Sequence, residues 1–346
     1  MNTLAHKIDE AYLIDRFMDL ARINSPSGEE EAVCEELIAC FDALNKNNQI
    51  SIKTDEYGNL FVRISGQSPY TLAITGHMDV VPPCHDIQPL IDGEGDDRII
   101  KSDGRTVLGA DDKTALAAML ASVKTLLEEN GPHPNLLFLI TTKEEVNLQG
   151  ARAIEPEYYS DADFVIAFDT TGPQGTIVHQ QPAYYKYKLS VFGRSAHAGV
   201  SPEQGINAIQ ILSKLINHLP QGRLDADSTT NIGCIEGGRA INVVADYASV
   251  RGEFRSHFPE RVHAEIEKIH KAVNLIQPEY PEARIQFELE DCFGAYETKL
   301  EHPALIQIEK TMRNMGLDIK HVKSNGASDV NIFANRGLPG IVLSAG

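Results

Sequence analysis

Two near-continuous apolar runs, Asn135 to Thr142 and Asp163 to Phe168, constrain this chain more than any other feature. A strand that alternates apolar and polar residues shows one face to water, whereas a run without alternation has both faces covered. Helices packed on both sides of a mostly parallel sheet provide that cover, so the runs predict an α/β architecture. A third strand, Thr71 to Thr75, leads into Gly76-His77-Met78-Asp79-Val80. Positions i and i+2 of an extended backbone point the same way, so His77 and Asp79 face one side together. A metal-ligating imidazole usually donates its other ring N–H to a carboxylate, and His-x-Asp at a strand end suits that use. A plain surface pair has the same form.

The residues just past each strand make the pattern more specific. The run from Asn135 ends at Lys143-Glu144-Glu145, and the run from Asp163 ends at Asp169. Val107-Leu108-Gly109-Ala110 leads into Asp111-Asp112-Lys113, after which Leu116, Met119, Leu120, Val123, Leu126 and Leu127 recur at helical spacing. Asp111 therefore opens a long helix, where capping is the ordinary use of an aspartate. In open α/β sheets ligands bind beyond the carboxyl ends of the strands. Four segments deliver His77, Asp111, Glu144 with Glu145, and Asp169 to that crevice, which solvated loop acids explain poorly.

The rest of the chain divides around this core. Ile8 to Ile23 has helical periodicity, and Ser27 with Glu30 has the form of a capping box opening a second helix through Val33, Leu37, Ile38, Phe41 and Leu44. Ser51 to Thr54 and Leu60 to Ile64 are expected strands. From Gln180 the character changes. Strands at Tyr184 to Val191, Thr229 to Ile235, Ile241 to Phe254 and Arg284 to Leu289 are expected, with helices at Gly205 to Leu219 and Arg261 to Ile276. The order β-α-β-β-α-β is that of a ferredoxin-like unit. We expect an inserted α+β lid at residues 178–293, within a first domain made of residues 1–177 and 294–346. In the latter stretch, a helix at Pro303 to Met315 and a strand at Ile319 to Val322 precede a short helix at Ser328 to Asn335 and a last strand at Ile341 to Leu343.

At 346 residues two domains are the default. A formal net charge of −18 argues against a nucleic-acid partner, whose phosphates need clustered Lys and Arg. Cys34, Cys40, Cys84, Cys234 and Cys292 are scattered, as reduced thiols are, and Met1 to Arg22 lacks the apolar core of a signal peptide. No apolar run reaches bilayer-spanning length, so a cytoplasmic protein without a membrane partner is expected. Gly93-Glu94-Gly95 does not continue into a dinucleotide-binding fingerprint.

The ordered set of motifs resembles the M20 family of co-catalytic metallopeptidases, most closely its peptidase T-like branch. The matching segments are Gly76-His77-Met78-Asp79, Gly109-Ala110-Asp111-Asp112-Lys113, Thr142-Lys143-Glu144-Glu145 and Phe168-Asp169, then Ser195-Ala196-His197-Ala198-Gly199, Asn242-Val243-Val244 and Arg255. The resemblance implies a zinc-exopeptidase-like catalytic domain with a lid, and a site for two divalent metal ions, usually zinc. Asp111 resembles the bridging ligand, His77 and Asp169 the further ligands of one ion, and Glu145 a ligand of the other. Asp79 resembles the acid that orients His77, and Glu144 the general base. Two ions about 3.5–4 Å apart lower the pKa of a shared water and polarise the scissile carbonyl. His197 resembles the lid histidine that hydrogen-bonds the oxyanion, which in some relatives comes from a partner subunit, so a homodimer through the lid is implied. Asn242 and Arg255 resemble the pair that grips a substrate carboxylate.

The family's last ligand is a histidine shortly after the final strand, and the sequence stops at Ser344-Ala345-Gly346. The expectation is a truncated product of a longer gene, or a degenerate member, with the ion at Glu145 short of one ligand. The implied activity is metal-dependent exopeptidase action on short peptides, of the tripeptidase or aminopeptidase kind. Deacylation of N-acyl amino acids or carboxypeptidase action is the alternative within the same chemistry. Outside it stands a non-catalytic peptide- or amino-acid-binding protein with an incomplete metal site.

Overall fold

The structure is a computed structural model that describes residues 8–345. The chain forms two compact units: residues 1–180, 297–323 and 327–346 make the first, and residues 181–296 with 324–326 the second.

In the first unit α1 (Glu10–Arg22) is capped by Asp9, whose side chain accepts the Tyr12 amide. Then come α2 (Glu31–Leu44), β1 (Ile50–Thr54), β2 (Leu60–Ile64), β3 (Thr71–His77), the short hairpin of β4 (Leu90–Asp92) and β5 (Ile99–Lys101), α3 (Ala110–Glu129), β6 (Asn135–Thr141), α4 (Gln149–Ala153), β7 (Phe164–Ala167) and β8 (Thr176–Gln181). The second unit holds β9 (Ala183–Phe192), α5 (Ala208–Asn217), β10 (Gly222–Asp225), β11 (Ser228–Gly237), β12 (Tyr247–Ser256), α6 (Pro259–Ile276) and β13 (Arg284–Phe293). After β14 (Tyr296–Glu297) the first unit resumes with α7 (Pro303–Asn314), β15 (Lys320–Lys323), α8 (Asp329–Asn335) and β16 (Gly340–Leu343).

Among the described residues the large sheet has nine strands in the order β1-β2-β6-β3-β7-β16-β8-β14, with β15 also on β8. Its centre is parallel: β6, β3, β7 and β16 run the same way. Two of them, β6 and β7, are the strands written as near-unbroken apolar runs, and both are buried almost throughout. Phe17, Leu20, Val33, Leu37, Phe41, Leu116, Leu120 and Val123 bring α1, α2 and α3 into one core with Phe138 of β6. Leu305 and Met312 of α7 pack with Phe164, Ile177 and Ile341.

The second unit's sheet is antiparallel, ordered β10-β11-β12-β9-β13. Leaving out β10, that is the ferredoxin-like order, with α5 and α6 giving Ile211, Leu212, Leu215, Val262 and Ile269 to its core. Two expectations need correcting here. Residues 241–246 are not strand: the backbone of Asn242–Val244 is engaged by residues 196–198 instead, and Ile241 stands fully in solvent. The capping box at Ser27 and Glu30 does not form either, because both side chains reach other partners: Ser27 Oγ donates to Asp79 Oδ2 at 2.6 Å, and Glu30 Oε1 accepts the amides of Gly28 and Lys143.

Candidate metal centre

Strand register assembles the site. β3 and β6 pair so that His77 lies opposite Thr141, and β3 and β7 pair so that Thr75 lies opposite Ala167. Parallel strands end on one edge, so chain segments a few residues beyond them bring Asp79, Glu144, Glu145 and Asp169 to that edge. α3 contributes from its first turn. Gly109 takes a left-handed φ of 72°, and the backbone at Asp111 and Asp112 is not yet helical. The Asp111 carboxylate therefore does not cap the helix; its Oδ1 lies 3.0 Å from His77 Nε2.

His77 is fully buried, and its two ring nitrogens face two oxygens, Asp111 Oδ1 and the Asp79 carbonyl at 2.9 Å. Asp79 is buried completely and is saturated: Oδ1 accepts the Glu144 amide at 2.9 Å, and Oδ2 accepts the Glu145 amide at 3.1 Å and the Ser27 hydroxyl. It shapes the Glu144–Glu145 turn as well as facing the imidazole, whose Nδ1 is 3.4 Å from its Oδ1. Behind His77, Asp112 Oδ2 accepts the His77 amide at 3.3 Å. Gly76 permits this, since a Cβ there would stand 2.6 Å from the same oxygen.

Donor atoms converge in two groups that share His77. His77, Asp111 and Asp169 form one, and His77, Glu144 and Glu145 the other, each with ligand atoms within 4.8 Å of one another. Asp112 and Asp329 add buried carboxyls nearby, which sequence reasoning missed. Asp329 opens α8, accepts the Thr141 hydroxyl at 2.5 Å on Oδ2, and leaves Oδ1 buried without a hydrogen-bond partner. The motif lysine does not balance this charge, because Lys113 Nζ donates to the Ile23 carbonyl at 2.6 Å.

The electrostatics follow from that crowding. Burial, reinforced by neighbouring carboxylates, holds Asp112, Glu144 and Asp169 well above the usual carboxylate range. Burial raises Glu145 too, and pushes Asp329 up to about 6. Burial opposes the charge on His77, yet hydrogen bonds to Asp111 and Asp79 hold its pKa well above the ordinary imidazole value. The His77 bond draws Asp111 down, and Asp79 falls despite burial because His77, Ser27 and the Glu144 amide stabilise its charge. Seven carboxyls crowd one imidazole, a negative potential that divalent cations would offset, and the His/carboxylate donor set suits such ions.

In the second unit His197 is exposed, with Nδ1 accepting the Gly199 amide at 3.2 Å. Its segment pairs with Val243, and Ala198 donates to the Asn242 carbonyl, so His197 and Asn242 stand together. Arg255 lies elsewhere. Asn242 precedes β12 and Arg255 sits near its far end, and a ten-residue strand spans roughly 30 Å. Arg255 forks onto Glu253 at 3.1 and 3.4 Å and stacks over Tyr184.

Comparison with known proteins agrees with this architecture. Residues 183–281 match the Peptidase dimerisation domain of the M20 class, and residues 59–217, which carry all the donor groups above except Asp329, match Peptidase family M28. The uncharacterized protein YqjE of Bacillus subtilis is 33% identical over 344 residues, covering 98% of this chain and 91% of that protein. The crystal structure of aminopeptidase PepT from Bacillus cereus superimposes with a TM-score of 0.85 at 32% identity, over 97% of this chain and 90% of that one. A tripeptidase from Staphylococcus aureus gives a TM-score of 0.89, also at 32% identity over 97% and 90%. The chain belongs to the M20 peptidases, in their peptidase T-like branch.

Proposed function

We propose that this protein is a metal-dependent exopeptidase that hydrolyses short peptides, tripeptides foremost. The observation that carries the reading is the pair of donor groups sharing His77, with buried Glu144 beside them. His77, Asp111 and Asp169 would hold one divalent ion and Glu145 would serve a second, zinc being among the ions such donors bind. Asp111, whose carboxylate meets His77 in the first group, would serve both ions. Bound ions supply Lewis acidity toward a water and a peptide carbonyl.

The chain's own residues do the rest. The Asp79 carbonyl and carboxylate hold the His77 ring and fix which nitrogen carries the proton. The Glu144 carboxylate takes a proton from the attacking water and delivers it to the leaving amine nitrogen.

We assign catalysis to the first unit, and lid and dimerisation roles to the second. His197 would donate to the oxyanion, and Asn242 and Arg255 would bind the substrate carboxylate. Because most of β12, a strand roughly 30 Å long, lies between Asn242 and Arg255 in one chain, a site using both would take them from two copies. Val200, Ile235 and Ile241, all well exposed in the second unit, suit burial between copies. We place the protein in the cytoplasm, where its free cysteines would stay reduced; among the described residues no helix is long and apolar enough to cross a membrane.

The test compares hydrolysis of a tripeptide, its N-acetylated form and its C-terminal amide by the zinc-loaded protein. Cleavage of the free tripeptide alone supports the reading. Equal cleavage of the acetylated form would replace it with deacylase or carboxypeptidase action, and binding without turnover with a peptide-binding role.

A further inference from the structure

The turn that presents Glu144 and Glu145 closes on itself only in part: the Leu148 and Gln149 amides donate to the Glu144 and Lys143 carbonyls, while its leading amides look elsewhere. Lys143 sits at φ 52°, Asn147 at 83° and Leu148 at 55°, conformations that side-chain-bearing residues adopt only when their surroundings impose them. Four successive amides of this turn are held by side chains from elsewhere. Asn59 Oδ1 accepts Thr142 at 3.1 Å, Glu30 Oε1 accepts Lys143 at 2.9 Å, and Asp79 accepts Glu144 and Glu145. Gly150 lets α4 close against the same place, since a Cβ there would meet the Thr142 carbonyl oxygen at 2.1 Å.

Glu30 is the least expected member of this set. It is 5% exposed, and the same Oε1 also accepts the Gly28 amide at 2.8 Å, in a loop where Gly28 has φ 98°. One carboxylate oxygen thus joins the loop before α2 to the turn after β6. Glu30 also occupies the N-terminus of α2, where the helix dipole favours a negative charge and offsets part of the cost of burying it. The loop it anchors carries Ser27, which donates to Asp79. Glu30 therefore acts on the turn directly through Lys143 and indirectly through Ser27 and Asp79.

We propose that Glu30 is a positioning residue, whose buried carboxylate sets the left-handed turn at Lys143 and thereby the places of Glu144 and Glu145. It touches neither substrate nor metal. The proposal rests on the peptidase reading of the site for its kinetic consequence, but not for its structural one.

The test uses the full chain with Glu30→Gln, Glu30→Asp and Glu30→Ala, read by turnover of a tripeptide and by hydrogen exchange across residues 142–148. Glutamine keeps an acceptor oxygen at the same reach, whereas aspartate keeps the charge but is one methylene short of Lys143. We expect Glu30→Gln to stay within about threefold of the parent. Glu30→Asp and Glu30→Ala should lose about 10- to 100-fold in kcat with little change in KM, the range seen for groups that orient a ligand from outside. Exchange at residues 143–145 should quicken in those two variants while α1 and α6 stay protected. Should Glu30→Ala fail to fold, the Gln and Asp variants decide between reach and charge. Full activity and unchanged exchange in Glu30→Asp, or a loss in Glu30→Gln equal to that in Glu30→Asp, would overturn the proposal. Absence of turnover in the parent protein would sink the peptidase reading alone, and the exchange comparison would still judge Glu30.

Discussion

His77 Nε2 and Asp111 Oδ1 stand 3.0 Å apart while the other ring nitrogen faces the Asp79 carbonyl, so both imidazole nitrogens point at acceptors. That geometry belongs to an imidazolium, and it agrees with the raised pKa of His77. A ligand imidazole must give up the Nε2 proton, so metal uptake releases it. Protons held by Glu144 and Asp169 leave with it, because burial keeps both above the ordinary range. Calorimetric titration of zinc into the metal-free protein, in buffers of different ionisation enthalpy, should show net release of protons. Affinity should climb with pH. Zero release would mean that the ions bind elsewhere.

Replacing Glu144 by glutamine removes the base but keeps its shape and its amide bond to Asp79. The expected loss in kcat is about 10²- to 10⁴-fold with KM nearly unchanged. Metal content and melting temperature should be retained, and an active Glu144→Gln protein would shift the base role to another acid.

The metal-free protein should lose stability as pH rises from about 5 to 8. A buried acid whose folded pKa is raised binds more protons folded than unfolded, so stability falls through that window. Asp329, moved from 3.8 to about 6 by burial, loses roughly 3 kcal/mol in all between those two values, so about half of that loss falls above pH 5 and none of consequence above pH 7. His77 works in the same direction, since its charged form is favoured only below its raised folded pKa. Asp79 and Asp111, with lowered pKa values, act at lower pH, where their protonation removes stability. Urea unfolding after chelation, at pH 5.5 and pH 8, checks the sign, and added zinc should reverse the loss at pH 8.

If Asn242 of one copy and Arg255 of the other serve one substrate, two dead variants should rescue each other. Asn242→Ala and Arg255→Ala, mixed after subunit exchange, form hybrids in which one site has both residues intact. Recovery should reach on the order of a quarter of the parent rate for random pairing. No recovery, with hybrids verified by mass, would place both residues in the service of one chain or of none.

Much of this molecule is legible in its sequence because strand ends leave chemical marks. Unbroken apolar runs gave β6 and β7, and the acids just beyond them lie where the parallel register delivers them. Periods and order also led to the ferredoxin-like arrangement of β9, β11, β12 and β13. The side chains that escaped are those whose partners are remote. Ser27 and Glu30 have the spacing of a capping box, but a serine and a glutamate that can satisfy a helix end can equally satisfy a distant carboxylate or amide. Asp329 looks in sequence like an ordinary first-turn acid, and only the packing of α8 against β7, β16 and β3 brings it to the site, where it meets Thr141 of β6. Residues 241–246 have strand-like composition, yet their backbone partners lie in the His197 segment, which no local pattern announces. The distance between Asn242 and Arg255 is within reach of simple arithmetic, once β12 is known to lie between them.

The suspended turn at residues 142–145 also bears on how such a site can be inherited. Its short sequence is incomplete on its own: grafted into another α/β sheet without Asn59, Glu30 and Asp79, it would lose the acceptors that hold four successive amides, and with them the fixed places of its two glutamates. A centre wired this way does not travel as a portable motif. Drift at Glu30 would weaken the chemistry while His77, Asp111, Glu145 and Asp169 were all still written in the gene.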